Sequence, residues 1–103
     1  AKDFKYASQL LAPFINDESV NEQLIFAYTS YCSKLPELYK SMPFVTAMRR
    51  AEKLNHDRYC KLFGVPNLTF QILDNPYVKD DYEKANCGPH TSAGTTETTG
   101  STN

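Results

Sequence analysis

The residues in this chain whose types and spacing come closest to a reactive site are two histidines and two cysteines. His56 and Cys60 stand four apart, so on a helix they share one face. Cys87 and His90 follow in a Cys-x-x-His arrangement. Two thiolates and two imidazoles are a set that zinc accepts tetrahedrally. The order His-x3-Cys followed by Cys-x2-His is unusual, however, and no other knuckle-like feature accompanies it. The plainer expectation is a surface His56, a half-buried Cys60 and a loop Cys87, with no metal and no cofactor held. Nucleophilic catalysis needs a base held by a third group beside the nucleophile. Cys60 and His56 meet that only in helical spacing, and nothing suggests an oxyanion hole. Asp17-Glu18 and Asp80-Asp81 are adjacent carboxylates, but each pair is expected in or near the first turn of a helix, where acidic groups meet the favourable end of the dipole. The glycines Gly64, Gly88, Gly94 and Gly100 form no phosphate loop. A non-enzymatic chain is the expectation.

The elements that must carry these residues read as helices. Phe4 to Leu11 suggests a short helix or an extended arm, with Phe4, Ala7, Leu10, Leu11, Phe14 and Ile15 apolar and Pro13 ending it. Ser19 and Glu22 have capping-box spacing before a run in which Val20, Leu24, Ala27, Tyr28, Tyr31, Leu35 and Leu38 recur at three- and four-residue steps. That predicts a helix from about Ser19 to Lys34, then a turn and a short helical piece to Ser41. Pro43 suits the first turn of a third helix, which runs to Leu62 with Phe44, Ala47, Met48, Ala51, Leu54, Asn55, Arg58, Tyr59 and Leu62 on one side. Gly64 is expected in a left-handed cap, and Pro66 forbids continuation. Leu68, Phe70 and Ile72 alternate with polar residues, which predicts an extended segment lying across the helices or on a neighbour's sheet edge. Asp74-Asn75-Pro76 opens a last helix with Tyr77, Val78, Tyr82 and Ala85 on one side, ended by Asn86-Cys87-Gly88-Pro89. The fold class expected is mainly α: one small helical domain over 1–87 with an N-terminal arm over 1–18, an extended segment, and a flexible Gly/Ser/Thr-rich tail over 88–103.

A domain of this length buries only about 60% of its unfolded surface, so it gains from a partner, a metal or a disulfide. Its 103 residues include seven Tyr, six Phe and no Trp. Such a chain cannot bury every ring, and Tyr is favoured at interfaces for its apolar body and polar tip. Lys and Arg are scattered among Asp and Glu to a net charge of −1, which argues against nucleic acid as the main partner. No apolar run reaches the roughly 18–20 residues of a membrane span. The first residues are not expected to be a secretory signal, since no apolar stretch follows them. Three cysteines suggest reduced, structural thiols rather than a disulfide scaffold. Asn67-Leu68-Thr69 is a glycosylation sequon, usable only in the secretory pathway.

At Leu35-Pro36-Glu37-Leu38-Tyr39 the chain resembles the ubiquinol-cytochrome c reductase binding protein family, a small subunit of the mitochondrial cytochrome bc1 complex. In that family a Leu-Pro-Glu segment leads to a Tyr, matched here by Leu35, Pro36, Glu37 and Tyr39. A helix with an Arg-Ala pair and a Leu follows, matched by Arg50, Ala51 and Leu54. Val65-Pro66 stands for a Leu-Pro turn, and Asp74, Pro76, Tyr77 and Tyr82 match a closing acidic, Tyr-containing helix. Asn16-Asp17-Glu18-Ser19 resembles the Asp-Asp-Thr of a preceding segment. The similarity spans Leu35 to Ala85. It departs where a Trp after the Leu-Pro turn is absent, Phe70 being nearest, and where the Gly/Ser/Thr tail replaces a charged C-terminal helix. The resemblance implies a cofactor-free accessory subunit of respiratory complex III on the matrix side of the inner membrane. It would pack against cytochrome b and the core subunits and meet the membrane only through them. The interface candidates are Tyr39, Arg49, Arg50, Phe70, Tyr77 and Tyr82. Three other readings stay open: an accessory subunit of another large assembly, a zinc-stabilised protein-binding module on His56, Cys60, Cys87 and His90, and a secreted ligand with a glycan on Asn67 and a Cys60–Cys87 disulfide.

Overall fold

A computed structural model describes residues 2–64 and 71–87, and among these every regular element is helical. Helix α1 (Lys2–Leu11) runs into a 3₁₀ turn, Ala12–Phe14, with Pro13 early in that turn where its missing N–H is not needed. α2 spans Glu22–Cys32, α3 Pro36–Tyr39, α4 Met42–Leu54, α5 His56–Leu62 and α6 Pro76–Ala85. The central pair is α2 against α4. α1 covers the outer side of α2, while α5 and α6 pack on α4.

Several boundaries differ from the sequence expectation, each for an identifiable reason. α2 begins at Glu22 rather than Ser19, because Asn21 caps it by accepting from the Leu24 N–H at 3.2 Å. Ser19 is instead folded into a turn, its N–H and hydroxyl both donating to Asp17 Oδ1 at 2.9 and 2.7 Å. The expected single helix from Pro43 to Leu62 is two helices. Asn55 leaves the helical region at φ −157°, ψ 88°, and its side chain accepts from the Arg58 N–H at 3.0 Å to start α5. Asn is prone to this because its side chain competes with the backbone for hydrogen bonds. Glu22 holds the break from outside: its Oε2 accepts from Asn55 Nδ2 and from Arg58 Nη1, both at 3.1 Å. Gly64 closes α5 with its N–H on the Lys61 carbonyl at 3.1 Å, and its φ lies outside the left-handed region. The left-handed cap occurs at Asn86 after α6, with φ 55°. Gln71 and Ile72 are helical and Ile72 is buried, so that end of the expected extended segment is not extended. Leu68 to Phe70 and the expected tail over 88–103 lie outside the described residues.

The core is the space between α2 and α4, filled by Ile25, Phe26, Cys32, Phe44, Val45, Ala47, Met48 and Ala51. Tyr59, Phe63 and Tyr82 extend it toward α6, with Phe63 stacked on Tyr82 at 4.1 Å between centroids. The buried hydroxyls of Thr29 and Ser33 donate to carbonyls three residues back, so they cost little inside. Arg50 reaches from α4 to the loop before α2, its Nη1 donating to the carbonyls of Ile15 and Asp17 at 2.8 and 2.7 Å.

Asn75 is the main polar joint. It is 2% exposed, its Nδ2 donates to the Tyr39 carbonyl at 2.9 Å, and its Oδ1 accepts from the N–H groups of Tyr77 and Val78. Asn75→Ala removes the cap and strands the Tyr39 carbonyl, so a loss of about 2 kcal/mol is expected by urea denaturation. Asn21→Ala, at an exposed cap, is expected to cost about 0.5–1 kcal/mol. Equal losses in the two variants would contradict the joint.

Candidate functional site

Asn55 ends α4 and restarts the helix at His56, and this break sets the geometry of the one cluster of metal-ligating groups among the described residues. His56 and Cys60 lie one turn apart on α5, with His56 Nε2 3.5 Å from Cys60 Sγ. The other ring nitrogen, Nδ1, faces Glu52 Oε2 at 2.9 Å, from the last turn of α4. With the Nδ1 proton donated to that carboxylate, the Nε2 lone pair is aimed at the sulfur. Cys87 completes the group. It follows the left-handed Asn86 at the end of α6, and its sulfur is bonded to that of Cys60. The His56, Cys60 and Cys87 ligand atoms all lie within 4.8 Å of one another. A cleft of about 130 Å³, lined by these three with Asp57 and Lys61, opens on them.

The Cys60–Cys87 disulfide corrects the expectation of three reduced thiols. The pairing depends on α6 returning along α4, which Val78 in the core, the Phe63–Tyr82 stack and the Arg49–Asp81 pair bring about. Helix periodicity carries no information on that return, so the sequence offered this pairing only as one alternative, under the secreted-ligand reading. Cys32 is the free thiol. It is fully buried in α2, and burial pushes it up to about 11, so it stays protonated and unreactive near neutrality. His90, the fourth expected zinc ligand, lies outside the described residues.

The remaining candidates are engaged elsewhere. Asp17 is held below the usual carboxylate range by the Ser19 N–H and hydroxyl. Asp80 pairs with Lys84 at 3.1 Å, and Asp81 accepts from Arg49 Nε at 2.7 Å. These two lie in the middle of α6 and not in its first turn, so the expected dipole role does not apply to them. Of the interface candidates, Tyr39 is a core residue at 4% exposure, which removes it from any surface. Arg50 is occupied by the loop carbonyls, and Tyr82 is half-buried against Phe63. Arg49 is exposed but paired, Tyr77 is exposed at the start of α6, and Phe70 lies outside the described residues. With Tyr39 buried, the five described candidates do not all lie on one surface patch.

An apolar stripe was missed. Tyr6, Leu10 and Phe14 stand 64%, 54% and 46% exposed along the outer side of α1 and its 3₁₀ turn. Beside them a groove of about 480 Å³ runs between α1 and α2, lined by Ala7, Leu10, Leu11, Leu24, Ala27 and Tyr31 among others. The four-residue spacing of Tyr6, Leu10 and Phe14 is visible in the sequence, but it overlaps the inward set of Phe4, Ala7 and Leu11, and the two merge when read as one face. No helix among the described residues is long and apolar enough to cross a membrane. No protein-family profile matches the chain, and no curated protein or solved structure matches it.

Proposed function

We propose that this chain is a non-catalytic helical subunit that joins a larger protein assembly through the outer face of α1. The observation that carries this is the Tyr6, Leu10 and Phe14 stripe beside the α1–α2 groove, since rings and large aliphatic side chains held in water at helical spacing favour a covering partner. The adjacent carboxylates Asp17, Asp80 and Asp81 are engaged in a turn and in ion pairs. The resemblance around Leu35-Pro36-Glu37 and the helices after it gives the assembly: respiratory complex III, with cytochrome b and the core subunits as partners on the matrix side.

The Cys60–Cys87 bond favours a second reading, a protein-binding module of an oxidising compartment, because disulfides persist there and are rare where glutathione keeps thiols reduced. Native-gel fractionation of solubilised mitochondrial membranes, with mass spectrometry of each slice, separates the two. Under the first reading the chain is expected to co-migrate with cytochrome b, and Leu10→Asp should release it. Recovery from the secretory pathway with a glycan on Asn67 and the disulfide intact would replace the first reading with the second. Migration with another complex would keep the subunit role and change the partners.

A further inference from the structure

We propose that His56, Cys60 and Cys87 form a redox-gated site for a thiophilic divalent cation of the zinc type, closed while the disulfide stands and open once it is reduced. Three donors of the right chemistry already converge within 4.8 Å, two sulfurs and an imidazole nitrogen. The imidazole is oriented for ligation by a carboxylate on its far nitrogen, Glu52 Oε2 at 2.9 Å from Nδ1. That carboxylate–histidine pairing is the arrangement that fixes tautomer and ring direction in metal sites. The four-residue spacing on α5 brings His56 and Cys60 together, and His56 Nε2 faces the sulfur at 3.5 Å. The cleft over the three residues leads solvent to the fourth position of a tetrahedral ion.

The two sulfurs also differ in access. Cys60 is buried on helix α5, whereas Cys87 is half-exposed two residues beyond the end of α6. Opening the S–S bond therefore needs a change at a helix end and leaves the core alone. A thiolate of a dithiol reductant attacks the accessible Cys87 sulfur, and Cys60 leaves as a thiolate beside His56. The second thiol of the reductant then closes its own disulfide and releases Cys87. The reductant loses two electrons and the protein gains them, the two protons passing to the cysteines. Binding of the divalent cation by both sulfurs displaces those two protons, which makes affinity rise with pH. Cys32 takes no part, being buried in α2 away from the cleft.

Cobalt(II) titration of the purified full chain tests this, because thiolate–cobalt charge transfer in the near ultraviolet reports sulfur ligation directly. The reduced chain is expected to develop that band to one equivalent, and the oxidised chain to show none. Glu52→Gln should weaken binding roughly tenfold or more while leaving the band in place. His56→Ala, at an exposed position, should weaken it further and change the band envelope, with helicity followed by circular dichroism in every sample. Cys32→Ala should change nothing. Absence of the band in the reduced chain, whether that chain is folded or unfolded, overturns the site. So does a His56→Ala variant that binds as tightly as the parent, which would reduce it to two thiols without the histidine.

Discussion

Reduction of the Cys60–Cys87 bond is expected to lower the unfolding free energy by about 3–4 kcal/mol. The bond closes a loop with a sequence separation of 27 residues. In the chain-entropy account, a cross-link of that span removes roughly 3.5 kcal/mol of disorder from the unfolded state at 25 °C. It also ties the end of α6 to α5, and the other attachments of α6 are few: the Asn75 joint, Val78, the Phe63–Tyr82 stack and the solvent-screened Arg49–Asp81 pair. In a domain of this size such a loss corresponds to a drop in Tm of roughly 15–25 °C. Thermal melts with and without a phosphine reductant measure it directly. The Cys60→Ala, Cys87→Ala double variant should melt with the reduced parent, since both lack the cross-link and both keep α5. A reduced chain that melts with the oxidised one would mean that residues 60 and 87 are not held together in the folded protein. Zinc added to the reduced parent, and not to the double variant, should recover part of the loss by mass action.

The helical class was legible because the apolar spacing of α2, α4 and α6 is regular and their starts carry Pro43 and Asn75-Pro76. Boundaries were legible only where the signal was steric. Pro36 forces Leu35 into an extended conformation at φ −132°, ψ 127°, and α3 begins where it had to. Where the signal was a competition between side chains, the sequence was ambiguous. Ser19 and Asn21 could each have capped α2, and Asn21 does so while Asp17 takes Ser19 into a turn. Asn55 lies in the middle of a good apolar period, and its break is stabilised by Glu22 from 33 residues away, a contact that no local pattern contains. Ile72 shows where alternation misleads: the period of two suggested an extended chain, yet Gln71 and Ile72 are helical and Ile72 is buried in the core. Of the candidate site, the His56 and Cys60 pairing followed from helix geometry alone. Glu52 also stands four residues before His56, but a carboxylate at that spacing reads as an ordinary surface ion pair until the sulfur on the other side of the ring is known. Cys87 needed the whole return of α6.

The largest loss from a single substitution is expected at Phe44, where Phe44→Ala should cost about 3–5 kcal/mol. Phe44 is fully buried near the start of α4 and faces α2. It already borders a small hollow of about 50 Å³, whose other walls include Thr29 of α2, Ser33 just after it, Met48 of α4, Leu62 of α5 and Ile72. Removing the ring joins its volume to that hollow. The walls belong to several separate elements, so no shift of one helix can fill the space, and poor relaxation puts the cost toward the upper part of the range. Phe44→Leu, which keeps most of the volume, should lose under about 1.5 kcal/mol. Urea denaturation reads both, and a Phe44→Ala loss below about 1 kcal/mol would contradict the α2–α4 core. The comparison with the α1 face is what gives the measurement functional weight. Leu10→Asp changes a side chain that already stands in water, so its stability should stay within about 0.5 kcal/mol of the parent. A core position that governs folding and a surface position that governs only partner binding are therefore separable in one pair of variants. If Leu10→Asp also unfolds the chain, α1 is part of the core and its outer face is not free to bind a partner.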